Sequence, residues 1–275
     1  MSAVRKRRVL GTAIAGLVAV QAVVVIGADA QDPKTQAVPV SLWNAPGVSG
    51  GVDGIGALFA AVNVPAAAEG QTENKWAAGL VFRFTGDPDP FGLISLDTDG
   101  NQRFATLSLN NGDSVVDTQR FAFDWQRDRF YLPIVVMLPG SAVAGFVYDY
   151  NAAAWSFVGA VRAQSAWGEL SPASATMLLW YGDPVEDCAL YPRADHYRYA
   201  PYAFEGGQVI TSTLTGEGVL PGDCAATVTA ASDPNFRRYQ AGSATGPVAS
   251  TTTSTTTQDT TTTTTEATTT TSTVP

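Results

Sequence analysis

The sequence predicts an all-β protein, an antiparallel β-sandwich or jelly roll, on three observations. Short apolar runs recur roughly every ten to fifteen residues, and no long stretch repeats with helical periodicity. Gly, Pro, Asn and Asp punctuate these runs. Several of the runs also alternate as half-buried strands do, with Phe82 and Phe84 on one face and Phe146, Tyr148 and Tyr150 on another.

Candidate strands cover residues 38–43, 55–64, 75–84, 91–96 and 103–109. The later ones cover 129–138, 143–150, 155–162, 175–181, 196–204, 208–214 and 225–230. Residues 55–64 also read as a helix, because Gly56-Ala57-Leu58-Phe59-Ala60-Ala61-Val62 contains good helix formers. Residues 129–138 are apolar on both faces, which predicts a central strand covered on both sides. Trp155, Phe157 and Trp180 read as core. Within 196–204, Tyr197 and Tyr199 share one face, and His196 and Arg198 the other.

Two flanking segments differ from this pattern. Arg5, Lys6, Arg7 and Arg8 precede an apolar stretch over 9–28, and Ala28-Asp29-Ala30 has the form of an export cleavage site. Residues 1–30 are therefore expected to be a signal peptide, with an uncleaved membrane anchor as the alternative. Either reading places the remainder outside the cell, and cleavage leaves no stable membrane span. At the other end, residues 251–275 contain 17 Thr and almost nothing apolar to bury. That composition predicts a disordered tail over 241–275, as an O-glycosylated stalk or an unmodified low-complexity segment. Residues 31–37 then form a short linker and 38–240 one β-sandwich domain.

Charge and composition exclude several classes. Lys and Arg number 16 against 25 Asp and Glu, for a net charge of −9. Removing the four basic residues and one acidic residue of 1–30 leaves 12 against 24, a net charge of −12. Such an acidic chain lacks the basic face that a nucleic-acid partner requires. One histidine and two cysteines fall short of the four ligands of a closed structural His/Cys zinc site. In an exported chain, Cys188 and Cys224 are instead expected to form a disulfide, worth roughly 3–4 kcal/mol for a loop of about 37 residues.

The candidate sites are few. Gly47-Val48-Ser49-Gly50-Gly51 fits the G-x-S-x-G pattern, but His196 is the only histidine base available and the α/β alternation of that fold is absent. The segment reads as a Gly-rich loop. Asp97, Asp99 and Asn101 have hard-cation ligand chemistry, and a structural calcium is the one cofactor they would take. The competing reading is a hairpin turn, which Asp99-Gly100-Asn101 favours chemically. Glu169 and Glu186 lie beside aromatic-rich β segments and are the acids to consider for polysaccharide hydrolysis, which needs a carboxyl pair. The remaining lead is aromatic. Trp125 and Trp167 are bordered by polar residues or Gly and are expected at the surface, where with Tyr197, Tyr199 and Tyr202 they would stack on sugar rings.

Phe91-Gly92-Leu93, the run 129–136, Gly145-Phe146-Val147-Tyr148-Asp149, Trp155-Ser156-Phe157-Val158-Gly159 and Gly168-Glu169-Leu170 occur in this order. Over residues 75–181 the chain resembles a bacterial secreted family, a domain of unknown function with a concanavalin A-like lectin/glucanase sandwich. The resemblance implies that fold and a lectin-like ligand, and it carries no catalytic residues. The function expected is thus a secreted, non-catalytic β-sandwich that binds extracellular glycan or cell-wall polysaccharide. A carboxylate-dependent polysaccharide-active enzyme and a ligand-free structural envelope protein are the alternatives. N-terminal sequencing of the protein recovered from culture medium is expected to begin at Gln31; a cell-bound product that keeps residues 1–30 would establish the anchor instead.

Overall fold

The structure is a computed structural model, and it describes residues 33–63, 75–87, 89–112, 114–126, 129–230, 233 and 235–242. The expected signal segment and Thr tail lie outside the described residues. The strands are β1 (Val38–Asn44), β2 (Gly54–Gly56), β3 (Phe59–Asn63), β4 (Trp76–Phe84), β5 (Pro90–Asp99) and β6 (Gln102–Asn111). Next come β7 (Ser114–Ala122), β8 (Phe130–Leu138), β9 (Ala142–Asp149), β10 (Ala154–Arg162), β11 (Leu170–Trp180) and β12 (Ala194–Tyr199). The last are β13 (Tyr202–Glu205), β14 (Gln208–Thr211), β15 (Thr213–Leu220), β16 (Ala226–Ala230) and β17 (Phe236–Ala241). No α-helix occurs among the described residues, so none there crosses a membrane as a helix.

Seven strands form one antiparallel sheet in the order β15-β1-β11-β4-β5-β6-β7. Ten form the second, in which β8 pairs with β9 on one edge and with both β2 and β3 on the other. The helix reading of 55–64 fails because its halves extend along β8 as two short strands, so that Ile55 and Phe59 both point into the core. The sandwich expected from the alternation is therefore present.

Between the sheets, Leu80, Phe82, Ile94 and Leu107 form one buried cluster with Ile55, Phe59, Val135 and Val147. Packing here leaves no slack. A Cβ at Gly92 would stand 1.9 Å from the Phe82 ring, so the close approach of β4 and β5 requires glycine at that position. Polar ties also cross the interior. The Trp43 indole donates to Thr176 Oγ1 at 2.8 Å, and Thr176 Oγ1 shares a 2.6 Å hydrogen bond with the Tyr239 hydroxyl.

At one end of the sandwich a smaller cluster gathers Trp76, Trp180, Tyr191 and Tyr239 around the Cys188–Cys224 disulfide. The bond joins a 3-10 turn (Cys188–Leu190) to the segment before β16, with the Cα atoms 5.3 Å apart. Lys34 bridges to Val185 and Gln36 to Cys224, so the N-terminal strand entry is held at this same corner. The disulfide closes a sequence separation of 36 residues. The Cys188→Ser, Cys224→Ser double variant is expected to lose about 3–4 kcal/mol of unfolding free energy, read from the denaturant midpoint.

Candidate functional site

The pleat gives each sheet an outward face, and these two faces hold the functional candidates. On the seven-stranded sheet, β1, β4, β5, β6, β7 and β11 together floor a groove of about 610 Å³. Its apolar part is built from Val38, Val81, Phe91 and Met177, with Leu93 and Leu220 packed against them. These residues alternate with the core residues of the same strands, so the sheet is apolar on both faces in this region.

The other part of the groove is polar and centres on Asp97, which is 5% exposed. Ser95 and Thr106, from the two neighbouring outward positions, donate one hydroxyl to each carboxyl oxygen of Asp97. Burial pushes the Asp97 carboxyl above the ordinary carboxylate range, against the hydroxyl donors and Arg120, which pull it down. Arg120 bonds Asp99 at 3.2 Å and the Tyr181 hydroxyl at 3.2 Å, and its guanidinium lies 3.7 Å over the Phe104 ring. The Tyr181 hydroxyl in turn donates to the Thr98 carbonyl.

This arrangement corrects the calcium expectation. The Asp97 oxygens are taken by hydroxyls, the Asp99 carboxylate by Arg120, and Asn101 stands exposed in the hairpin turn. Their side chains are thus already partnered or turned to solvent, and no group of three His, Cys, Asp or Glu side chains that could hold a metal occurs among the described residues. Asp99-Gly100-Asn101 serves as the β5–β6 turn, with Gly100 at positive φ.

Two of the five expected aromatics are also misplaced. Trp125 and Trp167 are each only 2% exposed. The Trp125 indole donates to the Asp97 carbonyl at 3.0 Å and its ring meets Phe59 edge-on; Trp167 packs on Phe84 at 5.2 Å. Both sit outside the strands but insert their rings into the shared core, so polar sequence neighbours did not signal exposure. Tyr197, Tyr199 and Tyr202 are half-buried; Tyr197 and Tyr199 both stack on Phe236. No groove unites these five residues.

Of the three residues expected in the core, Trp180 is buried, but Trp155 and Phe157 are exposed. Trp155 is 56% and Phe157 55% exposed on β10. Their cross-strand partners on β9 are Tyr148 and Phe146. The rings form a continuous row, with centroids 5.3 Å apart for Phe146–Phe157, 6.5 Å for Phe146–Trp155, 5.0 Å for Tyr148–Trp155 and 4.9 Å for Tyr148–Tyr150. Beside them the outward face of β8 carries Phe130 and Leu138, both exposed. That strand is thus central and apolar on both faces, as expected, but only its inner face is covered. Tyr202 continues the surface; burial raises its phenol pKa, helped by nearby Tyr150, Tyr199 and Asp233.

Neither proposed catalytic arrangement forms. Among the described residues neither His196 ring nitrogen has a hydrogen-bond partner, and the ring is stacked between the sheets on Tyr239 at 5.0 Å. Desolvation, then the neighbouring Arg198, hold the His196 pKa well below the ordinary imidazole value, so it stays neutral in the core. Ser49 lies in an exposed loop. Glu169 and Glu186 are exposed on separate loops, the first beside Thr85 and the second next to Val185, which bridges to Lys34.

Asp97 has a measurable signature. Its carboxyl holds a proton more tightly in the folded than in the unfolded chain, so its contribution to stability is full below the unfolded value of 3.8 and is lost as pH rises toward the higher folded pKa. Asp97→Asn cannot ionise. The melting temperature of the variant is expected to gain on that of the wild type between pH 4 and pH 7, and a pH-independent difference would remove the raised proton affinity.

No protein-family model matches the sequence, and no curated protein does either. Similar solved structures include scytalido-glutamic peptidase with a transition-state analog inhibitor, at 8% identity and a TM-score of 0.45, covering 75% of this chain and 97% of that one. The Caenorhabditis elegans galectin LEC-6 is similar at 13% identity and a TM-score of 0.32, covering 70% and 92%. The CBM2 module of the evolved Dit of Lactobacillus casei BL23 phage J-1 gives 6% identity and a TM-score of 0.35, covering 74% and 68%. At these identities and scores the likenesses carry nothing about ligand or chemistry. The β-sandwich implied by the lectin/glucanase-like resemblance is present; membership of a particular secreted family is not shown.

Proposed function

We propose that this chain is an exported protein that binds a neutral polysaccharide of the cell envelope or extracellular space on the outward face of its ten-stranded sheet. The row Phe146, Phe157, Trp155, Tyr148 and Tyr150 carries this reading. Large aromatic rings left in water over several adjacent strands lose the free energy that burial would give them, so such a patch on a folded protein has a partner.

The chemistry of the row favours sugar. Flat rings offer apolar faces to the C–H faces of pyranoses, and the tyrosine hydroxyls and the indole N–H can bond their hydroxyl groups. Asp149 and Asp233 border the aromatics and the whole chain is acidic, which disfavours polyanions and anionic membranes as occupants. Export is supported by the basic and apolar run over 5–28, the Ala28-Asp29-Ala30 site and a disulfide.

Sedimentation with insoluble neutral polysaccharides, including glucan, chitin and isolated cell walls, tests the reading. The wild type is expected to pellet with at least one of them. Trp155→Ala and Phe157→Ala should each weaken binding about tenfold, near 1.4 kcal/mol, with little change in melting temperature because both side chains are exposed. Trp125→Ala is the contrasting control, since removing that core ring should cost about 3–5 kcal/mol of stability. Failure to pellet with any of these materials, together with self-association that Trp155→Ala abolishes, would replace polysaccharide by a second copy of the chain.

A further inference from the structure

The groove on the seven-stranded sheet faces away from the aromatic row, and its lining has a different chemistry. We propose that it is a second ligand site, which takes an acyl chain bearing an uncharged, hydrogen-bonding head such as a hydroxyl, ester or amide. The chain would lie over Val38, Val81, Phe91, Leu93, Met177 and Leu220, and the head would reach Ser95, Asp97 and Thr106.

The volume, about 610 Å³, is that of a small-molecule site. The composition of its two parts selects the ligand. A peptide would bring a backbone donor and acceptor at nearly every residue, and a sugar would bring hydroxyls around its ring. The floor of Val38, Val81, Met177 and Leu220 itself supplies a partner for neither, since the polar side chains Ser108, Asn110 and Thr118 stand on the β6–β7 side of the groove, and each polar group buried over that floor unpaired is costly. A hydrocarbon chain has no such groups and gains burial free energy by covering half-buried Leu93 and Leu220 and exposed Val115.

Charge selects the head. Arg120 already bonds Asp99, and Asp183 also lines the groove. An anionic head would thus meet two carboxylates and a guanidinium already in use. A cationic head would face Asp97, whose carboxyl is held by two hydroxyls in a site that burial keeps unfavourable for charge. An uncharged donor or acceptor instead exchanges hydrogen bonds with Ser95, Thr106 and the Asp97 carboxyl without desolvating an ion.

Titration calorimetry of the whole protein with a medium-chain monoacylglycerol, below its micelle concentration, tests the site. Saturable binding with a negative heat-capacity change is expected. The fatty acid of equal chain length should bind at least tenfold more weakly at neutral pH. Leu93→Glu, which puts a charge on the apolar floor, should reduce monoacylglycerol binding at least tenfold. Val115→Glu, at a 63% exposed position on the rim, keeps the test valid if Leu93→Glu does not fold, and should also weaken binding. Asp97→Leu, which removes the hydrogen-bonding group at the polar end, should lose binding.

Phe157→Ala should leave monoacylglycerol binding unchanged, which separates this site from the aromatic face. Equal affinity for the fatty acid, or no effect of both floor and rim variants, would overturn the proposal. So would an oligosaccharide or peptide whose binding Leu93→Glu abolishes.

Discussion

Strands packed face to face must give every second residue to the interior, and most of this molecule follows from that constraint. Once Leu80, Phe82, Ile94, Val135 and Val147 are committed to the shared core, only the alternate positions remain to meet a ligand. On β5 those positions are Phe91, Leu93, Ser95, Asp97 and Asp99, a gradient from apolar to acidic along a single strand. On β9 they include Phe146 and Tyr148. The two candidate sites are thus the reverse sides of the same strands that build the core, and a one-residue register slip would destroy both sites and core together.

The strands that the sequence revealed are those with one apolar face. β4, β5, β6, β8 and β9 were legible to within a few residues because their inward positions are uniformly apolar. β7 was missed because it is an edge strand exposed along nearly its whole length, so no hydrophobic alternation marks it. β17 was missed for the opposite reason: its inward positions are Arg237, Tyr239 and Ala241, so polarity along Phe236–Ala241 runs against the usual rule. Arg237 is tolerated there because Glu217 of β15 meets it at 2.7 Å.

The exchange of exposed and buried aromatics has a similar physical origin. Ring size argues for burial, and so Trp155 and Phe157 read as core. Their side is instead set by register: Trp155 pairs with Tyr148 and Phe157 with Phe146, while Val143 and Val147 take the inward side of β9. An irregularity between Phe157 and Gly159 then changes the phase of β10, so Val158 and Val161 are buried next to exposed Phe157 and Ala160. Pairing register and bulges depend on contacts distant in sequence, which local pattern does not encode. The interior histidine shows the same limit. His196 and Arg198 share a face, as their alternation predicts, but nothing in their neighbours announces that this face is the buried one, where Arg198 donates to the Ala78 carbonyl and has its pKa lowered to about 10 by burial.

The disulfide corner has a mechanical consequence. Lys34 is bound there by Val185 and by the Tyr191 hydroxyl, and the last strand ends beside it, where Ala241 pairs with Ala194 and Gly242 packs against Pro192. Both flanks of the described chain therefore leave the sandwich at one reinforced point. A tether attached through either flank would load β1 or β17 at the corner that the cross-link braces. The groove of the seven-stranded sheet reaches this corner, where Thr35, Gln36, Tyr191 and Pro221 line it, whereas the aromatic row belongs to β9 and β10 of the other sheet.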